Sequence, residues 1–97
     1  MTHKEIELID NQEERSYELW IEDKRSFIDY KLKDGSSYLL HTEVPGELEG
    51  QGVAAALVEK TLSLLQQNNL KVVPVCSYVQ IYLKRHPKWN HLVADSN

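Results

Sequence analysis

The chain has 97 residues, 41% of them hydrophobic and 27% charged, with a formal net charge of −4. That is the composition of one globular domain, 1–97, large enough to bury a core without staples. The negative balance gives no support to a general nucleic-acid or membrane-surface role. Cys76 is the single cysteine and closes no internal disulfide, which fits a reducing compartment. The N-terminal "MTHKEIELID" lacks the apolar core of a signal peptide, and no apolar run reaches the length of a membrane span. A cytoplasmic protein that uses no metal and acts as a monomer is expected.

In chain order, "KEIELI" is a weak first strand. "RSYELWIE" then alternates, with Tyr17, Leu19 and Ile21 on one face and Glu18 and Glu22 on the other. "SFIDYKLK" repeats the pattern, with Ile28, Tyr30 and Leu32 against Asp29, Lys31 and Lys33. Period-two alternation predicts half-buried antiparallel strands. "DKRS" separates these runs, and Asp34-Gly35 is a hairpin turn. "SYLLHTEV" places Tyr38, Leu40, Thr42 and Val44 on one face and Leu39, His41 and Glu43 on the other.

The period changes at Val53. Val53, Leu57, Thr61 and Leu64, flanked by Ala54, Val58 and Leu65, predict a helix over 53–67, stopped by Asn68-Asn69. "LKVVPV" reads as a buried strand. Pro74 has no N–H for a ladder, so that strand should lie at an edge or part from its neighbour there. Ser77 and Gln80 have capping-box spacing and start a helix carrying Val79, Tyr82 and Leu83, ended by Pro87. The fold class is α+β: an antiparallel meander, a β-α-β crossover and a C-terminal helix.

Gly50 and Gly52 stand where the meander meets the first helix. A glycine loop at a helix N-terminus offers free amides and a favourable dipole to an anion. The alternative is that both glycines only shape a tight turn. A dinucleotide fingerprint fails, because Ala55 stands where a third glycine is needed and "KVVPV" supplies no acid. A P-loop fails for want of Gly-Lys-Ser/Thr.

"VPGELEGQGVA" resembles the acetyl-CoA loop of the GNAT acetyltransferase superfamily, a Q/R-x-x-G-x-G/A segment between the fourth strand and a helix. "HTEVPGELEGQGVAAALV" and "KVVPVCSYVQIYLKRHP" together are similar to small single-domain GNAT proteins of the YjdJ type, over roughly residues 15 to 93. The resemblance implies that amides of Glu49, Gly50, Gln51, Gly52, Val53 and Ala54 bind the pyrophosphate of coenzyme A. It implies that Thr42, Glu43 and Val44 pair with the pantetheine arm, and that the strands flanking the first helix splay at Pro74 to admit it. The chain departs from the family in three ways. An acid, Glu47 or Glu49, replaces the loop's arginine or glutamine. The tyrosine that protonates the leaving thiolate would fall at Leu83, about 100° round the helix from Tyr82. The N-terminal helices that wall the acceptor site are missing.

Acetyl transfer to an amine needs a route for the amine's proton and donors for the oxyanion. Cys76 precedes a helix, where a thiol pKa falls. It is a candidate acyl relay or a residue lining the thioester channel, against the plainer reading of a buried small side chain. His41 and Glu43 share a strand face and are candidate proton acceptors, against a solvated sheet face. His86 and His91 read as surface residues, with Trp89 and Leu92 packing the tail. The expected function is acetyl-CoA-dependent N-acetylation of a small-molecule, peptide or protein amine. A non-catalytic acyl-CoA-binding module and a protein-interaction domain are the alternatives.

Overall fold

A computed structural model describes residues 3–94. Five strands form one sheet in the order β1-β2-β3-β4-β5. These are β1 (Ile9–Asn11), β2 (Ser16–Ile21), β3 (Lys24–Lys33), β4 (Ser36–Glu43) and β5 (Lys71–Pro74). The first four pair antiparallel, and β4 and β5 are parallel, joined through helix α1 (Val53–Gln67). Helix α2 (Ser77–Arg85) and a 3-10 segment, Pro87–Leu92, close the chain.

The two long hairpins turn on residue pairs in the left-handed region, Asp34-Gly35 (φ 51° and 78°) and Glu22-Asp23 (φ 50° and 63°). Turns of that hand match the twist of the flanking strands. The first is the turn expected at Asp34-Gly35. The second lies one residue earlier than "DKRS", so Lys24, Arg25 and Ser26 are already in β3.

Cross-strand partners share a face, and the pairs Tyr17–Ile28 and Tyr30–Leu39 point into the core with Leu19 and Ile21. The Tyr17 and Tyr30 rings stack at 4.0 Å, and the Tyr17 hydroxyl bonds Ser37 Oγ at 2.8 Å. Val53, Leu57, Val58, Leu62 and Leu65 of α1 cover this face, and Val79, Tyr82 and Leu83 of α2 join them. Helix α1 spans the predicted 53–67. It stops where Asn69 takes φ 58°, a conformation asparagine tolerates, and the Leu70 amide returns to the Leu65 carbonyl. Trp89 and Leu92 pack the tail against the core as expected.

Four expectations are corrected. "KEIELI" is not a strand: His3–Glu5 is a 3-10 turn, and Ile6 and Leu8 pack against the core, leaving the ladder to begin at Ile9. Leu32 is exposed, because β3 runs past the core to meet the hairpin turn. The faces of β4 are not a simple alternation. Asp29 opposes His41 while Tyr30 opposes Leu39, so Leu40 is an extra residue and a β-bulge. Leu39 is therefore buried and Leu40 exposed. Lastly, Cys76, not Ser77, is the residue before α2, and Gln80 turns back to the Pro74 carbonyl at 2.9 Å.

On the face away from the helices, Glu18 is 4% exposed yet fully bonded: to Arg25 Nε at 2.7 Å, Asn11 Nδ2 at 3.0 Å and Trp20 Nε1 at 3.1 Å. Burial alone would raise its carboxyl; the bonds from Trp20, Arg25 and Asn11 outweigh it and hold the pKa below its ordinary value. A lowered native pKa stabilises the fold above the unfolded value, and that stability fades as pH falls from the glutamate range through the native value. Glu18→Gln should therefore cost about 2 kcal/mol at neutral pH and flatten the acid limb of the stability curve. Urea midpoints of both proteins across that range check it, and an unchanged neutral midpoint would count against the network.

Candidate active site

The β4–β5 ladder runs from Ser36–Lys71 to Leu39–Pro74 and stops. Pro74 offers no N–H, and the next two amides, Val75 and Cys76, both donate to the Leu39 carbonyl at 3.0 and 2.8 Å. Past this point β5 turns away into α2, so from Leu40 to Glu43 the edge of β4 facing it has no strand partner among the described residues. Pro74 thus sits on an edge strand and marks the parting, as its chemistry demands.

Cys76 lies in this gap. Its Sγ is 3.4 Å from Thr42 Oγ1, across the opening. The neutral thiol makes no cap bond of ordinary geometry to α2. Burial alone would raise its pKa, but the Thr42 hydroxyl, the amides of Val79 and Tyr78 at the start of α2 and the Thr42 amide favour the thiolate, and the net direction is down.

Beyond β4 the chain forms a 3-10 turn, Gly46–Leu48, then the glycine loop. Gly50 and Gly52 have φ of 79° and 76°, a region that side chains strain to enter. The α1 N-terminus has no side-chain cap. Among the described residues, none of the amides from Gly50 to Ala55 donates to a backbone carbonyl. A cleft of about 250 Å³ is lined by Val44, Leu48, Glu49, Gly50 and Gly52, by Val53, Ala54 and Ala55 of α1, and by Tyr78 of α2. A Cβ built on either glycine would meet nothing within 4 Å, so the space in front of the backbone is open. An anion fits such a cradle.

The family model of GCN5-related N-acetyltransferases matches residues 16–92. The chain belongs to that family. Protein NATD1 of Gallus gallus is 39% identical over 49 residues, which are 50% of this chain and 44% of that protein. Protein NATD1 of Xenopus tropicalis is 37% identical over 49 residues, 50% of this chain and 45% of that one. The matched stretch thus spans less than half the length of these curated relatives. The NMR solution structure of a GCN5-like protein from Staphylococcus aureus aligns with a TM-score of 0.70, covering 100% of this chain and 94% of that one at 23% identity, which shows the shared fold.

Of the residues singled out for this acetyltransferase-family chain, Val44, Glu49, Gly50, Gly52, Val53 and Ala54 meet at the cleft. Thr42 faces Cys76 instead. Gln51 does not line the cleft; its side chain bonds the Glu47 carbonyl at 3.2 Å. His41 and Glu43 bond each other at 3.3 Å, exposed, on the sheet face opposite Thr42. Tyr82 is buried and stacks on His86 at 4.0 Å, so it is turned into the core and away from the cleft. His86, expected at the surface, is half-buried because its Nδ1 bonds the Tyr82 carbonyl at 2.8 Å. His91 is exposed and bonded to Gln66. Tyr78 was the residue missed. It lines the cleft, and its amide is among the groups that favour the Cys76 thiolate. A tyrosine two positions into a helix reads from sequence as part of a face, and only the crossing of α2 past the loop reveals it. Among the described residues no three His, Cys, Asp or Glu side chains gather as a metal site requires, and no helix is long and apolar enough to cross a membrane.

Iodoacetamide alkylation of the wild type, followed against pH, should have its midpoint below the ordinary thiol value. Thr42→Val should move that midpoint up and Thr42→Ser should keep it, since the serine hydroxyl can still donate. A midpoint indifferent to Thr42→Val would mean that Thr42 does not stabilise the thiolate.

Proposed function

We propose that the domain transfers the acetyl group of acetyl-CoA to an amine, with coenzyme A entering from the helix side of the sheet and the amine from the other. The observation that carries this reading is the β4–β5 parting, which leaves the stretch of β4 bearing His41, Thr42 and Glu43 unpaired toward β5, with Cys76 against Thr42 and the next residue, Val44, lining the glycine cleft. The pyrophosphate would lie on the amides of Gly50 to Ala55, and the thioester would reach Thr42 and Cys76. The amine nitrogen attacks the thioester carbon, the C–S bond breaks and coenzyme A leaves as thiolate. His41 or Glu43, directly or through water, takes the proton the amine loses. Tyr78, which lines the cleft, would protonate the leaving sulfur; burial raises its pKa more than Arg85 lowers it, so it is protonated at neutral pH.

The donors around Cys76 support two roles for the thiol. They would stabilise the thiolate for attack on the thioester, giving an acetyl-cysteine intermediate, or hold the thiol as a wall of the channel while the amine attacks directly. The open acceptor face favours small or extended amines that need no deep pocket. A binding module without turnover would use the same cleft, and the burial of Tyr82 away from it favours that second reading, while Glu49 at the cleft opposes a pyrophosphate in either case.

A ligand that binds only the folded state stabilises it by about 2.7 kcal/mol at a hundred times its Kd. For a domain of this size that is a rise of about 10 °C or more in the thermal midpoint. Coenzyme A should produce such a rise, and Gly52→Asp, which sets a charge where phosphate must approach, should abolish it. Mass spectrometry of a pooled amine library incubated with acetyl-CoA should show an acetylated product. Without acceptor, a single acetyl mass on Cys76 would mark the covalent route, and Cys76→Ser should then bind coenzyme A but lose turnover. No midpoint shift at millimolar coenzyme A would overturn the reading; a shift without any product would leave the binding module.

A further inference from the structure

A contact made by the N-terminal segment bears on the cleft. His3, in the 3-10 turn His3–Glu5, places its Nε2 2.7 Å from the Gln51 carbonyl oxygen. A carbonyl only accepts, so Nε2 carries the proton and donates. The other ring nitrogen, Nδ1, is buried and has no partner, so the bond to the loop is the polar contact that orients the ring.

The Gln51 carbonyl and the Gly52 amide belong to one planar trans peptide and point in opposite directions. That peptide follows Gly50 and ends on Gly52, and it is the kind most free to flip, because glycine accepts φ of either sign. A flip would turn the Gly52 amide out of the cleft and a carbonyl oxygen into it, converting an anion cradle into a repulsive surface. The Gln51 side chain, tied to the Glu47 carbonyl, does not fix the peptide plane. His3 does, and it holds the carbonyl from outside the cleft, which His3 does not line.

We propose that His3 is a positioning residue for the coenzyme A pyrophosphate: it latches the Gln51–Gly52 peptide with its amide facing the cleft. This rests on the pyrophosphate reading of the glycine loop. The latch comes from a segment 48 residues away in sequence, so N-terminal docking and cofactor affinity are coupled.

The test compares wild type, His3→Ala and His3→Gln, each with any purification tag at the C-terminus. Glutamine can set an amide N–H near the place of Nε2. By calorimetry, His3→Ala should weaken coenzyme A binding about fivefold, the scale of one net hydrogen bond, and His3→Gln should restore most of it. In steady state the KM for acetyl-CoA should rise with kcat unchanged. Without ligand, amide NMR should show the Gly50–Val53 resonances shifted or exchange-broadened in His3→Ala and close to wild type in His3→Gln. Equal affinity in His3→Ala and wild type would overturn the proposal, as would equal weakening in both variants with a matching fall in thermal midpoint. If the wild type itself failed to bind coenzyme A, the pyrophosphate reading would fall, and unchanged loop amides in His3→Ala would then overturn the latch separately.

Discussion

The site depends on a single backbone oxygen. The Leu39 carbonyl accepts the amides of both Val75 and Cys76, so two residues of the incoming chain use one acceptor of β4. A parallel ladder spends acceptors at every second residue as it advances, and here it stops advancing. Pro74, which cannot donate, is the residue that stalls it. The chain then has to leave the sheet, and it leaves as α2 with Cys76 at the first turn. The gap beside β4, the position of the thiol and the approach of α2 to the glycine loop all follow from that arrest.

Two helix N-termini converge on this gap, and neither is capped by a serine, threonine, asparagine or aspartate side chain. Leaving helix amides unsatisfied destabilises a fold, by about 1 kcal/mol at each uncapped end. The N-terminus of α2 has no side-chain cap bond from Cys76, and its first amides favour the ionised form of that thiol. Among the described residues the amides from Gly52 to Ala55 at the start of α1 donate to no backbone carbonyl, and these residues line the open cleft. The loop brings no arginine or lysine to help; it brings Glu47 and Glu49. Any anion held there is held by the main chain alone, and the orientation of each peptide plane then matters more than it would with a cationic side chain in reach.

Much of the frame was legible because it rests on local rules. Alternation gave β2 and β3, Asp34-Gly35 gave a turn whose left-handed φ values it needs, and the change of period at Val53 gave α1 with its bounds. Pro74 gave the edge and the parting from one missing N–H. What was not legible depends on distant contacts. Cys76 is not a usual cap residue, and Ser77 beside it matched the capping-box spacing better than the true boundary did. Ile6 and Leu8 alternate like strand residues, yet the core that receives them is built by elements they do not pair with. Tyr82 and Tyr78 lie on one helix a turn apart. Which of them meets the loop is settled by how α2 crosses α1, and no spacing encodes that.

The bulge at Leu40 carries no glycine or proline to announce it, and it decides the polarity of the site. Before it, the odd residues Ser37 and Leu39 face the core; after it, the even residue Thr42, paired with buried Ile28, faces that side, and Val44 lines the cleft. Because the side-chain period of a strand is two, one inserted residue exchanges the faces of everything that follows. An unbulged β4 that buried Leu39 would also turn His41 and Glu43 into the core, where their charges would go unsolvated. It would turn Thr42 outward, away from the sulfur it now bonds. The extra residue lets one strand seal the core with Leu39, offer Thr42 to the thiol, and keep two titratable side chains on the open face. The chemistry on the two sides of the sheet is separated by that single unpaired leucine.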